Sequence, residues 1–374
     1  MEIFAASKQW SERPADERFS SLEDLYNQTK QYADTAIERT ANIVDLRTES
    51  YKGEVVLLGR QNAPAQLTHW SFGQLCSRIG APASYLRELP STLTVTNLNH
   101  GLKKLGDRKE GGAMQLLFHQ NGSLLRADEL RGLLCRALTS EKYTRIWNWE
   151  VAERLIQLQD LGWVPAESDF NLAKDSDLAR ERDLYASDHD MFVFLCHTDR
   201  VIAEPGNPEG LKRGIIVENS EVGASALKMT RFLYRGRCSN HIIWSASKVM
   251  EFNVRHIGQA KAKFSLYQYE LKKYAESSAS EEEAKIASAK SRVIADTKEG
   301  VLDKLFGIRK LGLTRKLIEA GYDAVKVEED GEANTVWGMA QGLTRVSQNL
   351  PYADQRTEID RAAGRLIELA EGSF

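Results

Sequence analysis

Residues 214–244 read GIIVENSEVGASALKMTRFLYRGRCSNHIIW, and this stretch decides how the fold is read. Its first four residues are an apolar β run. From Ser225 to Tyr234 apolar and polar residues alternate, the period of two that marks a strand. One face would carry Leu227, Met229, Arg231, Leu233 and Arg235, the other Lys228, Thr230, Phe232 and Tyr234. Upstream, MFVFLCH at 191–197 is a second β run, and EPGNPEG at 204–210 is turn chemistry. A hairpin followed by a further strand predicts an antiparallel sheet. The question is charge. Lys228, Arg231, Arg235 and Arg237 run through a segment apolar enough to be buried. They could bind a substrate, meet a polyanion, or solvate one face of the sheet.

Outward from this sheet, Ser20 and Glu23 fit a capping box. Apolar residues from Leu22 to Ile37 then recur at helical spacing, which predicts one helix over 20–46. EVVLL at 54–58 and MQLLFH at 114–119 predict strands. Phe72, Leu75, Cys76 and Ile79 predict a short helix stopped by Gly80, with a second opened by Pro82. That pair outlines either a helix-turn-helix or a helical hairpin packed on a sheet. Helices are predicted over 128–138 and 149–160, and 165–183 is polar and irregular. Residues 242–263 shift towards helical spacing. Residues 264–299 form a polar helical pattern broken by SSASEEEA. The tail is helical from 301 and ends in a hairpin of 335–348 and 355–371, turned at Asn349-Leu350-Pro351.

Together these predict an α+β fold: an antiparallel sheet, helices packed on one side, and a helical C-terminal region. The chain divides into an acidic N-terminal helix (1–50), an α+β core (51–275), a solvated polar connector (276–300) and the helical C-terminal region (301–374).

The 374 residues are 42% hydrophobic and 28% charged, enough to bury a sizeable core and unlike a disordered chain. The net charge of −3 hides an asymmetry. Residues 211–275 hold 12 Lys and Arg against 4 Asp and Glu, while residues 1–50 hold 6 against 10. A basic middle beside an acidic start suggests a localised anion-binding surface. Cys76, Cys135, Cys196 and Cys238 are scattered, as reduced and buried thiols of a cytoplasmic protein would be. No stretch approaches the roughly 18 apolar residues of a membrane helix. MEIFAASKQW lacks the pattern of a secretory signal, so no membrane partner is expected.

No motif names a reaction. A phosphate loop, a dinucleotide fingerprint, His-Glu-x-x-His and a nucleophile elbow are all missing, so no cofactor is expected. Asp188-His189-Asp190 could hold a divalent metal. In an extended chain, however, Asp188 and Asp190 share a face and His189 does not, which favours a turn or cap.

What the sequence does offer is basic and aromatic interleaving, the composition that contacts phosphates and stacks bases of single strands. Lys228, Arg231, Arg235, Arg237, Arg255 and Lys261 are the candidate phosphate contacts. Phe232, Tyr234 and Trp244 are the candidate stacking residues, with Lys248, His256 and Lys263 completing the set. Lys142, Tyr143, Arg145, Trp147 and Trp149 repeat the theme upstream.

Several stretches carry a family resemblance: SFGQLCSRIGAPASYLREL, LYASDHDMFVFL, the ENSEVG and CSNHIIW pieces of the opening stretch, VRHIGQAKAKF, and NTVWGMAQGLTRVSQNLPYADQRTEIDRAAGRL. In these the chain resembles the phage- and plasmid-encoded proteins of domain of unknown function 932, from about residue 54 to the end. The resemblance implies work on mobile DNA and supplies no catalytic residues to carry over. The leading expectation is a phage or prophage protein that binds or anneals single-stranded DNA in recombination or replication. It would self-associate through the C-terminal helices. The rivals are a counter-defence protein binding a host protein, and a metal-dependent nucleic-acid enzyme using Asp188, His189 and Asp190.

Overall fold

The computed structural model describes residues 19–59, 64–107, 112–120, 133–165, 184–204, 207–235, 240–243, 252–327, 331–347 and 353–371. The first helix, α1 (Leu22–Asp34), is shorter than the sequence pattern predicts. Ser21 is its N-cap, and its hydroxyl accepts the Asp24 N–H at 3.0 Å. The helix ends at Asp34, and Ile37–Asn42 instead form strand β1. The expected helix over 20–46 is therefore corrected. Pairing of β1 with a partner strand outweighs a weak local helical period.

Strands β2 (Arg47–Tyr51), β3 (Glu54–Leu58) and β4 (Ala65–Leu67) follow. After them come helices α2 (His69–Ile79), α3 (Ala83–Glu88) and α4 (Ser91–Asp107), then β5 (Ala113–Gln120) and β6 (Leu133–Ser140). The sheet order is β1-β5-β6-β4-β3-β2, antiparallel except for the parallel β4–β6 pair. Strand β6 replaces the C-terminal half of the helix expected over 128–138, whose start lies outside the described residues. Its residues 134–139 are buried on both faces, and a continuous apolar run satisfies either period. Helices α2–α4 cover one face, with Phe72, Leu75, Leu86 and Leu98 packed on Val55, Leu57, Leu116 and Phe118. This is the hairpin-on-sheet reading. Asn99 of α4 holds both the N–H and the carbonyl of Thr48 at 2.8 Å, which covers the open edge of β2.

The second sheet contains the opening stretch. After α5 (Asn148–Ile156) come β7 (Trp163–Pro165), β8 (Leu184–Ala186), β9 (Met191–Glu204) and β10 (Asn207–Asn219). These are followed by β11 (Leu227–Arg235), β12 (Asn240–Ile243) and β13 (Phe252–Val254). The order is β12-β11-β10-β9-β7, with β13 also on β11 and β8 also on β9. The predicted hairpin forms, and its strands run further into the expected turn. The helical spacing read over 242–263 is overturned at β12 and β13, because both pair with β11. The polar stretch read over 165–183 lies, after Pro165, outside the described residues.

Among the described residues, the middle of this sheet has a core on each face. Met191, Val193, Leu195, Ile215, Val217, Leu227 and Met229 share one core with α1 and α5. Phe194, Cys196, Ile216 and Phe232 form another on the opposite face. Gly214 has to be glycine, since a Cβ there would lie 2.3 Å from the Phe232 ring across the ladder.

Helices α6 (Ala260–Phe264), α7 (Tyr267–Glu276), α8 (Ser280–Ser291), α9 (Lys298–Gly307), α10 (Arg315–Asp323), α11 (Val336–Ser347) and α12 (Ala353–Glu368) complete the chain. Helix α8 is not a solvated connector. Its Ile286 and Ala289 lie in the same core as Trp337, Met339, Ile367 and the sheet residues Ile202, Leu211 and Leu233. Gly342 of α11 is forced by a close helix crossing, with a Cβ falling 2.0 Å from the Gly321 carbonyl of α10. The fold class is α+β, as the sequence predicts, built on two sheets rather than one.

Candidate functional site

The cations of the opening stretch divide by burial. Arg213, which alternation alone does not single out, is 1% exposed. It donates to the carbonyls of Tyr274, Ser277 and Ser278 at 2.8–3.0 Å and pairs with Glu282 at 2.6 Å. One guanidinium thereby satisfies the C-terminal carbonyls of α7 and fastens the start of α8. Arg231 is half-buried, its guanidinium 4.0 Å from the centre of the Tyr274 ring. Lys228 pairs across the ladder with Glu218 at 3.3 Å, and Arg361 of α12 reaches the same carboxylate at 3.2 Å. Arg213, Arg231 and Lys228 thus hold elements together.

Two expected members of the nucleic-acid set are removed from it by burial. Phe232 is 0% exposed in the core and has no face to offer a base. His256 is 4% exposed and stacks on Tyr143 at 5.1 Å. The backbones of Tyr234 and Arg235 belong to β11. Arg237, Trp244 and Lys248 lie outside the described residues.

The remaining members, Arg255, Lys261 and Lys263, are exposed. They sit beside side chains the sequence reading left out. Ile257, Leu266 and Tyr269 are 54%, 60% and 67% exposed, and Lys272 and Lys273 follow Tyr269 at helical positions i+3 and i+4. An antiparallel bridge between Tyr143 and Ile257, with the Thr144 N–H on the His256 carbonyl at 2.7 Å, brings the upstream basic segment and exposed Lys142 alongside. Lys261 pairs with Glu150 at 3.0 Å and Lys272 with Glu276 at 3.9 Å. Such surface pairs are worth about 0–1 kcal/mol and yield to a better anion. Among the described residues, Lys142, Arg255, Lys263 and Lys273 enter no ion pair. The signal that could have found this surface is the run of Lys at 261, 263, 272 and 273 around apolar residues in a polar helical segment.

The ENSEVG piece does something different. It closes the junction between the two sheets. Arg136 of β6, 1% exposed, lies 3.2 Å from the Glu221 carboxylate and donates twice to the Asp188 carbonyl at 2.8–2.9 Å. Arg145 donates to the Glu221 carbonyl and pairs with Glu38 of β1 at 3.0 Å. Tyr143 donates to the Ser220 carbonyl, and Trp70 and Gln74 of α2 both donate to that of Val222.

Two histidines lie in this network. Arg136 can only donate, so His119 accepts at Nε2 (3.1 Å) and carries its proton on Nδ1. His256 accepts the Ile146 N–H at Nδ1 (3.4 Å), which leaves its proton on Nε2. Burial, with the Arg136 and Arg145 charges, pushes His119 down to about 3. Burial pulls His256 down to about 4. Both are neutral at pH 7.

Asp188, His189 and Asp190 form a turn before β9. The Asp188 carboxylate lies 2.6 Å from His189 Nδ1, and Ser187 donates to Asp190 at 2.5 Å. Burial would raise the Asp188 carboxyl, but the His189 hydrogen bond and charge outweigh it and hold it low. Trp70 stacks on the His189 ring. Among the described residues no group of three or more His, Cys, Asp or Glu is arranged to hold a metal ion. The same elements make the cap that the sequence reading favoured.

Residues 137–364 match the family described as Domain of unknown function (DUF932). The chain belongs to this family. The DUF932 match begins within β6 and takes in the whole second sheet, the junction loop and most of the C-terminal helices. No curated protein and no solved structure matches the chain. Among the described residues no helix is long and apolar enough to cross a membrane. Cys76, Cys135 and Cys196 are buried, while Cys238 lies outside the described residues. Val336, Trp337, Met339, Ala340 and Leu343 of α11 and Ile359, Ala362, Ala363, Leu366 and Ile367 of α12 pack into one core within the chain.

Proposed function

We propose that this DUF932 protein binds single-stranded nucleic acid, through the surface built by α6, α7 and the bridged segments around Lys142 and Ile257. One observation carries the reading. Tyr269 stands two-thirds exposed beside Lys272 and Lys273, in a surface that also presents unpaired Arg255, Lys263 and Lys142. Exposed rings stack bases of any sequence, and unpaired cations release the counterions of a strand. The phage and plasmid setting that the family resemblance implies would supply such strands during recombination or replication.

Fluorescence anisotropy with labelled single-stranded and duplex DNA over a salt series tests this. Affinity for the single strand falls steeply with salt, by about 0.7 in log–log slope for each phosphate contact. Replacing Lys261, Lys263 and Lys273 by Glu lowers that slope by about 2 and leaves the fold intact. Tyr269→Ala weakens binding by about 5- to 150-fold, the worth of one stacked base. Binding indifferent to salt, or to these changes, would remove the reading.

A further inference from the structure

A second surface of the same composition lies in the C-terminal region, at the turn between α9 and α10. Residues 304–316 read KLFGIRKLGLTRK, five cations with no carboxylate among them. The turn is rigidly set. Leu305, Leu311 and Leu313 point into the C-terminal core, and Arg365 of α12 donates to the Lys310 carbonyl at 3.1 Å. Gly312, at φ +68, closes a short 3-10 turn over Arg309–Leu311.

The outward residues are the unexpected ones. Phe306 is 55% exposed, although Leu305 beside it is buried. Arg309 and Lys310 stand three and four positions on, and Lys316 lies in the first turn of α10. Two cations of the segment are occupied: Arg315 by Asp303 and Glu299, and Lys304 by the Ile294 carbonyl at 2.7 Å. Arg309, Lys310 and Lys316 are exposed and enter no ion pair among the described residues. An exposed ring flanked by unpaired cations, with its apolar neighbours anchored inward, complements a strand of nucleic acid as the α6–α7 surface does. The two surfaces stand on different cores, α9 and α10 on the C-terminal helices and α6 and α7 on the second sheet.

We infer that the Phe306–Arg309–Lys310 turn is a second single-strand site, and that one chain holds two strands at once. This rests on the single-strand reading above. It adds bridging, the step that brings complementary strands together, to simple binding.

The test immobilises one biotinylated oligothymidylate, loads the full-length protein, and measures retention of a second, fluorescent oligothymidylate that cannot pair with the first. The wild-type chain retains the second strand. A variant carrying Phe306→Ala, Arg309→Glu and Lys310→Glu still binds the immobilised strand but retains the second about tenfold less. Its unfolding midpoint is unchanged, because all three side chains are exposed. Wild-type protein that binds the first strand yet never retains the second overturns the inference and leaves the single-strand reading standing. Retention undiminished in the variant does the same. Wild-type protein that binds neither strand at low salt removes both.

Discussion

Strand β11 and the α6–α7 surface are both rich in cations, and they use them in opposite ways. On β11, Lys228 and Arg231 face Glu218 and the Tyr274 ring, while Arg213 of neighbouring β10 is sealed against helix carbonyls. On α6 and α7, the lysines stand in water around exposed Tyr269 and Leu266. A cation removed from water must be given partners by the fold, or it shifts its protonation or destabilises the structure. A cation left in water is free to meet an anion that arrives later. Charge density along the sequence therefore says where cations are, and burial says which of them remain available.

The contrast predicts effects of very different size. Arg213→Ala strands the Glu282 carboxylate and the carbonyls that end α7, and should cost about 3–5 kcal/mol of stability in urea unfolding. Folded protein should keep its affinity for nucleic acid. A loss below about 1 kcal/mol would mean that Arg213 is not the fastening described. The junction histidines should give the next largest effect. Both have folded values below their ordinary 6.5, so between about pH 6.5 and 4 the unfolded chain takes up protons that the folded chain refuses. Stability should fall as the pH drops through that window, by up to about 1.4 kcal/mol per pH unit for each histidine. His256→Gln should roughly halve this slope in thermal unfolding at several pH values. A slope that does not change would remove His256 from the junction's titration. The smallest effect belongs to Lys228→Met, which breaks a half-exposed cross-strand pair worth about 0–1 kcal/mol. Single-strand affinity should stay within about twofold, the expectation for one cation that is already engaged. A larger drop would return β11 to the interface.

Much of the fold was legible because its strongest signals are local. Alternation over 225–234, the MFVFLCH run and the EVVLL and MQLLFH strands all appear where their patterns place them. Gly80 stops α2, and the C-terminal hairpin runs within a few residues of its predicted limits. The misreadings share one cause. At 37–42, 133–138, 240–243 and 252–254, short segments carried apolar residues compatible with either period, and pairing with other strands decided between them.

The candidate site was partly legible: Arg255, Lys261 and Lys263 are exposed, while Phe232 and His256 are buried. The sequence by itself determined that the chain is α+β, that its middle is basic, and that aromatic and cationic residues interleave there. It also determined the ENSEVG and VRHIG pieces that mark the family. Only the tertiary structure decided what packs on β11: Leu227 and Met229 face the core shared with α1 and α5, and Phe232 the core on the opposite face. It likewise decided that Glu221 and His256 belong to the seam between the sheets, and that Lys261, Lys263, Lys272 and Lys273 stand exposed one step further along, on α6 and α7. The physical reason is that period two assigns residues to opposite faces of a strand but carries no information about what packs on either face. That depends on contacts between segments far apart in the chain, such as Arg136 with Asp188 and Glu221, Arg145 with Glu38, and Trp70 with Val222.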